Sequence, residues 1–118
     1  MDILTKYNVV LKSSDIFKSK SISTCDDALT SYLVNHYSLS DAKRLLDGVY
    51  KVLSNEIPLA GGTSRGMVEG VIEKYTAKFY ISAYDYWQDE SIAPDFVLPT
   101  SDFKMIVEAW VQFLEQED

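Results

Sequence analysis

The segment that most constrains the fold is the C-terminal one, at residues 95–114. Its apolar side chains recur at offsets of 0, 3, 4, 7, 10 and 11, and they are Phe103, Ile106, Val107, Trp110, Phe113 and Leu114. This spacing predicts one apolar stripe along an α-helix of about 14 residues. Pro99 disfavours a helical residue before it, and the hydroxyl of Thr100 or Ser101 is predicted to cap the helix. The rest of the chain should supply a sheet or other helices to cover this stripe.

Length, charge and cysteine content narrow the class of protein. The chain has 118 residues, of which 47% are hydrophobic, and this predicts one domain, 1–118, with a buried core. With 18 acidic and 11 basic residues the net charge is −7. That charge argues against nucleic acid and anionic membranes as partners, because both bind basic surfaces. The single cysteine, Cys25, excludes an intrachain disulfide and a multi-cysteine zinc site.

The hydropathy pattern gives an expectation for localisation. No apolar run approaches the roughly 20 residues that a membrane-spanning helix needs. The first residues, Met-Asp-Ile-Leu-Thr-Lys, lack the layout of a signal peptide. We therefore expect a cytoplasmic protein.

Two amphipathic helices are predicted between residues 24 and 55. Thr24 is the predicted N-cap of the first helix and Ser40 that of the second. The residues at helical spacing are Ala28, Leu29, Tyr32, Leu33 and His36, then Ala42, Leu45, Leu46, Val49 and Leu53. A short break between the helices makes the pair an αα-hairpin, whose second helix ends near Asn55. Residues 1–23 show no clear period, and their Lys- and Ser-rich end, 18–23, predicts a mobile loop.

The second half of the chain predicts an antiparallel sheet. Residues 67–73 and 77–86 are rich in Val, Ile, Tyr and Phe and predict two strands, with a third at 95–98. A helix over 64–76 is the alternative, because the apolar residues there also fit a period of 3.6. The glycine-rich stretch 61–66 predicts a flexible connection. The expected fold is a two-layer α+β domain with an N-terminal α-helical hairpin, a three-stranded antiparallel meander and a C-terminal amphipathic helix.

The sequence offers few groups for catalysis, and no metal or cofactor site is predicted. The only histidine, His36, stands near a predicted helix end, where capping or partial burial is its expected role. Cys25 has no evident His or Asn partner, so we interpret it as a small packing residue and not as a nucleophile. The stretch 61–66 lacks the Lys of a P-loop and the Rossmann glycine spacing. An enzyme that uses Asp85 or Asp89 for acid–base or metal chemistry is the alternative to a non-catalytic protein.

The feature that best indicates a function is the segment 84–90, in which aromatic and acidic residues are interleaved. Aromatic rings supply buried area at an interface, and acidic groups steer a basic partner and add specificity. The predicted partner-binding residues are Tyr84, Asp85, Tyr86, Trp87, Asp89, Glu90 and Asp95. An alternative for Tyr86 or Trp87 is packing beneath the C-terminal helix.

Residues 77–116 resemble a known group of proteins. Strands that end in aromatic and acidic residues precede Asp-Phe-Val-Leu-Pro-Thr-Ser-Asp-Phe and a helix that carries Glu-Ala-Trp. This arrangement is similar to small immunity proteins of bacterial polymorphic-toxin and contact-dependent growth-inhibition systems. The resemblance implies a cytoplasmic, non-enzymatic protein that neutralises a cognate toxin domain, frequently a basic nuclease, by stoichiometric occlusion. The alternative is an acidic adaptor or a phage-borne modulator that binds another basic protein.

Overall fold

The computed structural model describes residues 2–16 and 19–116. These residues form two antiparallel sheets and five helices. In chain order the elements are α1 (Ile3–Lys6), β1 (Val10–Ser14), β2 (Ser19–Ser23), α2 (Asp27–Val34), α3 (Leu39–Leu53), β3 (Ala60–Thr63), β4 (Glu69–Ile72), β5 (Thr76–Tyr80), α4 (Ala83–Gln88), β6 (Phe96–Pro99) and α5 (Thr100–Glu115). Strands β1 and β2 pair with each other, and the second sheet has the order β3-β4-β5-β6. The predicted α+β class is therefore confirmed.

The four-stranded sheet buries one of its faces beneath helices. Phe79 of β5 lies at the centre of this face, with its ring 5.0 Å from that of Tyr32 on α2 and 5.2 Å from that of Phe103 on α5. A side chain at Gly70 would lie 2.6 Å from the Tyr32 ring, so glycine on β4 lets α2 approach the sheet. The opposite face carries Val71, Lys78, Tyr80 and Val97. Helices therefore cover one face, and the candidate site lies against the other.

Helix α5 confirms the prediction from its apolar stripe. Phe103, Ile106, Val107 and Trp110 are fully buried, while Phe113 and Leu114 are half-buried at the edge of the core. The predicted hydroxyl cap is wrong. The N-cap is Pro99, and the hydroxyl of Thr100 donates instead to the carbonyl of Glu73 at 2.5 Å.

Helices α2 and α3 lie where the sequence predicts them, with different caps. Asp26 caps α2 by accepting from the Leu29 amide, and Ser38 caps α3 by accepting from the Asp41 amide, both at 3.0 Å. Helix α3 ends as predicted, because Asn55 has a φ of 65° just beyond it and favours this left-handed conformation more than most residues.

The predicted αα-hairpin is not confirmed. Helix α3 packs mainly against α5 and β3, whereas α2 packs against β2 and β5. The two helices follow each other in the chain and contribute to the same core, but each covers a different partner.

The sheet contains one strand that the sequence did not predict. Residues 60–63, interpreted as a flexible connection, form β3, so the meander has four strands instead of three. Gly61 has a φ of +103°, and a Cβ there would lie 2.3 Å from the Gly70 carbonyl oxygen. Glycine is therefore required where β3 pairs with β4. The glycine content of this stretch is typical of a flexible connection, so the sequence did not predict a strand there. The helical alternative for 64–76 is wrong, since β4 lies within it.

The strand predicted at 77–86 ends earlier than expected. Strand β5 stops at Tyr80, and residues 83–88 form α4. The predicted strand at 95–98 is confirmed as β6, which is shifted by one residue.

The N-terminal residues attach to the C-terminal helix. The buried Tyr7 donates its hydroxyl hydrogen bond to Asp102 Oδ2 at 2.7 Å, and Lys20 Nζ donates to the Phe113 carbonyl at 2.8 Å. The loop predicted at 18–23 is wrong, because Ser19–Ser23 form β2, which pairs with β1. Lys18 lies outside the described residues, and the mobility expected for this stretch stays a prediction. Across the described residues, no helix combines the length and the apolar character that crossing a membrane requires.

Candidate protein-binding surface

The candidate site is built on α4, which begins immediately after β5. The Ser82 side chain accepts a hydrogen bond from the Asp85 amide at 3.2 Å and so caps the helix. The Ala83 amide donates to the Met67 carbonyl at 2.9 Å, which fixes the helix to the loop before β4. Ala83 is fully buried. These contacts hold a short helix of six residues against the sheet.

Two aromatic side chains of α4 face solvent together. Tyr84 is 62% exposed and Trp87 is 53% exposed. Residues three apart lie on the same side of a helix, so both residues belong to one outward face. Ala83 and Tyr86, also three apart, form the inward face. The structure thus places four of the seven predicted residues on one helix, whereas the sequence predicted a strand over 77–86.

Tyr86 is the inward-facing aromatic of the site. Its ring lies 4.5 Å from the ring of Tyr80, at the end of β5. Burial raises the pKa of Tyr86, and the nearby charge of Glu90 raises it further. The alternative that Tyr86 or Trp87 packs beneath the C-terminal helix is wrong, because Tyr86 packs on Tyr80 and Trp87 is half-exposed. Tyr86 therefore supports the site and offers little area to a partner.

Glu69 connects the exposed indole to the sheet. Trp87 Nε1 donates to Glu69 Oε1 at 3.3 Å, and the Thr63 hydroxyl donates a short hydrogen bond to the same oxygen. These contacts tie α4 to β4 and β3. Glu69 is not among the residues predicted from the sequence. Alternation along β4 would have placed it on the outer face, but its contact with Trp87 depends on the helical conformation of residues 83–88.

The predicted acidic residues divide into two groups. Asp89 accepts from the amide and hydroxyl of Ser91, at 3.0 and 2.6 Å, and these bonds lower its pKa. Asp95 accepts from the Ile81 amide at 2.8 Å, which joins the end of β5 to the start of β6. The exposed side chains of Asp85 and Glu90 make no hydrogen bond or ion pair within the described residues. Asp85 and Glu90 are thus the carboxylates most available to a partner.

Two exposed apolar residues outside the predicted set lie close to the start of α4. Met67 and Ile81 are both about half-exposed. Met67 contacts the start of the helix through its carbonyl, and the Ile81 amide is bound by Asp95. We define the α4 surface as the seven predicted residues together with Met67, Glu69 and Ile81. It combines exposed apolar side chains with acidic groups on α4 and on the segments next to it.

The remaining candidate residues take other roles. His36 confirms the expected capping, because its Nδ1 lies 2.7 Å from the Tyr32 carbonyl oxygen at the end of α2 and its ring packs on the Tyr32 ring. Cys25 is exposed, so its interpretation as a packing residue is wrong. Within 2–16 and 19–116, no three His, Cys, Asp or Glu side chains are grouped to hold a metal ion.

Comparison of the chain with protein-family models, with curated proteins and with solved structures gives no match. The residues of the α4 surface, its geometry and its charge are therefore the basis on which a function is proposed.

Proposed function

We propose that this protein is an immunity protein that binds a cognate toxin domain through the α4 surface and neutralises it by stoichiometric occlusion. The single observation that supports the proposal most is the pair of exposed aromatics, Tyr84 and Trp87, three residues apart on a helix that is fixed to the sheet. Large exposed aromatic side chains are enriched at protein interfaces, and acidic residues around them steer a basic partner.

The charge of the α4 surface favours a basic partner. Asp85, Asp89, Glu90 and Asp95 lie on α4 or between α4 and β6, and Glu69 lies beside Trp87. The one lysine among the outer-face strand residues, Lys78, is paired with Glu73 at 3.2 Å, so it does little to offset these acids. A basic nuclease domain has the complementary charge, and occlusion of its substrate-binding surface would prevent contact with nucleic acid.

The aromatic and the acidic side chains of the α4 surface affect different rates of binding. Exposed acids accelerate the encounter with a basic surface, and salt screens that effect. Aromatic rings that become buried at the centre of an interface slow dissociation. Since Trp87 is already held by Glu69, little conformational freedom is lost when a partner covers it. No catalytic group is needed for inhibition of this kind.

The functional test uses the product of the adjacent gene. We expect a large secreted protein whose C-terminal domain arrests growth when it is produced alone in bacterial cells. Co-production of this protein should restore growth, and the two purified chains should form a 1:1 complex. A Trp87→Ala, Tyr84→Ala double variant should fail to restore growth while it retains its melting curve.

The controls separate the proposed function from its alternative. A Tyr75→Ala variant removes another exposed aromatic, outside the α4 surface, and should protect like the wild type. If the adjacent product is bound but is not toxic, the acidic adaptor is favoured. If growth is arrested and this protein neither binds nor protects, the proposal is wrong.

A further inference from the structure

Both arginines of the chain line a cleft on the described surface. None of its lining residues belongs to the α4 surface. The cleft lies between the end of α2, the first turns of α3 and the β3–β4 region, and its volume is about 430 Å³. That volume lies within the range of small-ligand pockets. Its lining residues are Asn35, His36, Asp41, Arg44, Leu45, Gly48, Gly61, Thr63, Ser64 and Arg65.

Arg44 and Arg65 are the only arginines in the sequence, and both line this cleft. Arg44 Nη1 lies 3.7 Å from Asp41 Oδ1, and Arg65 Nη2 lies 3.3 Å from Asp41 Oδ2. Asp41 is the one acidic residue of the lining, so a single carboxylate is shared by two guanidinium groups. The cleft therefore has an excess positive charge in a protein whose net charge is −7.

Arg65 is held in position before any ligand binds. Its Nη1 donates to the Tyr37 hydroxyl at 2.5 Å, and its guanidinium lies 5.1 Å from the centre of the Tyr37 ring. The β3–β4 turn lies close to the end of α2 here, because a Cβ at Gly66 would be 2.5 Å from Asn35 Nδ2. A held guanidinium loses little side-chain entropy when it binds an anion.

We propose that this cleft binds the phosphate group of a small phosphate monoester. A guanidinium group has five N–H donors, and the contacts of Arg44 and Arg65 with Asp41 and Tyr37 leave donors for a ligand. The two arginines approach from different walls, α3 and the β3–β4 turn. A planar carboxylate is satisfied by one arginine fork, whereas a tetrahedral phosphate has oxygens for both.

The net charge of the whole protein opposes anion binding, but only weakly at physiological salt. Charges separated by more than about 8 Å are largely screened at that ionic strength. The interactions that decide affinity are those within the cleft, where two arginines face one carboxylate. Hydrogen bonds to charged groups are stronger than neutral ones, but both guanidinium groups are largely exposed, so the two arginines together should contribute about tenfold to affinity.

The test is an NMR titration of the full chain with inorganic phosphate, adenosine 5′-monophosphate and adenosine. Phosphate and the monophosphate should shift amide signals around Arg44 and Arg65, with dissociation constants on the order of 1 mM or tighter. Adenosine, which lacks the phosphate, should not. Tighter binding of the monophosphate than of inorganic phosphate would show that the rest of the ligand also occupies the cleft, and equal binding would show that the phosphate group alone is recognised.

Matched variants keep the test specific. An Arg44→Gln, Arg65→Gln variant should bind about tenfold more weakly. The control, Lys43→Gln with Lys51→Gln, removes two charges from the same helix outside the cleft and should bind like the wild type. If the double arginine variant does not fold, Arg44→Gln alone serves, since Arg65 then keeps its contacts. Absence of phosphate-induced shifts, equal binding of adenosine, or equal loss in the lysine control would overturn the proposal.

Discussion

The two tryptophans of this chain lie in opposite environments. Trp110 on α5 has an exposed fraction of 0%, whereas Trp87 on α4 is 53% exposed. Each indole N–H donates one hydrogen bond, Trp110 to the His36 carbonyl at 3.0 Å and Trp87 to the Glu69 carboxylate at 3.3 Å. The same side chain therefore stabilises the core in one region and supports a solvent-facing surface in the other.

The comparison shows how burial separates stability from binding. The surroundings of Trp110 collapse only partly when its ring is removed, so the loss appears in the free energy of unfolding. Much of the Trp87 ring is in contact with water already, so its removal leaves the folded state nearly unchanged. Its area becomes valuable only when a partner excludes that water.

The largest expected effect is the loss of stability when the buried Trp110 is replaced. Trp110→Ala should lower the free energy of unfolding by about 3–5 kcal/mol, because it leaves a cavity between α5 and its neighbours and removes the donor to His36. Thermal and urea unfolding measure this loss. Trp87→Ala is the matched control and should change stability by less than about 1 kcal/mol. Equal losses for the two variants would contradict the comparison.

The next largest expected effect is on the dissociation rate of the partner complex when an exposed aromatic residue of α4 is replaced. Trp87→Ala or Tyr84→Ala should increase the dissociation rate of the partner complex by at least about tenfold, because each removes an aromatic ring from the proposed interface. Surface-based kinetic measurements with the proposed toxin domain give this rate, and melting curves establish that each variant is folded. Dissociation rates equal to that of the wild type would place the interface elsewhere.

A smaller effect concerns Tyr7, which links the N-terminal residues to α5. Tyr7→Phe removes the hydrogen bond to Asp102 and should cost about 1.5 kcal/mol. Burial and this hydrogen bond raise the pKa of Tyr7 to about 12 from its ordinary value of 10. The folded state therefore favours the neutral phenol.

The pH dependence of the Tyr7 contribution follows from that direction. Its contribution is fully present below pH 10 and is lost as the pH rises through about 12. The stability difference between wild type and Tyr7→Phe should be constant up to pH 10 and shrink above it. Chemical unfolding at several pH values measures the difference. A difference that grows above pH 10 would contradict the assignment.

The smallest expected effect is at Cys25. This side chain is exposed and forms no disulfide, so Cys25→Ser should change stability by no more than about 0.5 kcal/mol and leave binding unchanged. Loss of growth protection by a variant with normal melting would indicate a chemical role for the thiol.

The sequence predicted the core better than the candidate site. The stripe of α5 has a clear period, and its burial follows from hydrophobicity alone. The strand predicted over 77–86 was wrong for its last four residues, which belong to α4, because apolar and polar residues alternate there as in a strand. Capping by Ser82 and the bond from Ala83 to Met67 favour a helix, and the latter depends on tertiary contacts. The residues of the site were selected for their chemistry, while Glu69 and the arginine cleft depend on chain segments that meet only in the folded structure.

The most direct test of the account compares two charge reversals. Glu90→Lys changes the α4 surface, and Asp27→Lys makes the same change on α2, which packs on the other face of the sheet. Both side chains are exposed and make no side-chain hydrogen bond or ion pair within the described residues. The measurement is the association rate with the proposed toxin domain at low and at physiological salt. We expect Glu90→Lys to slow association most at low salt and Asp27→Lys to have a clearly smaller effect. Equal slowing by both variants, or slowing by Asp27→Lys alone, would contradict binding through the α4 surface.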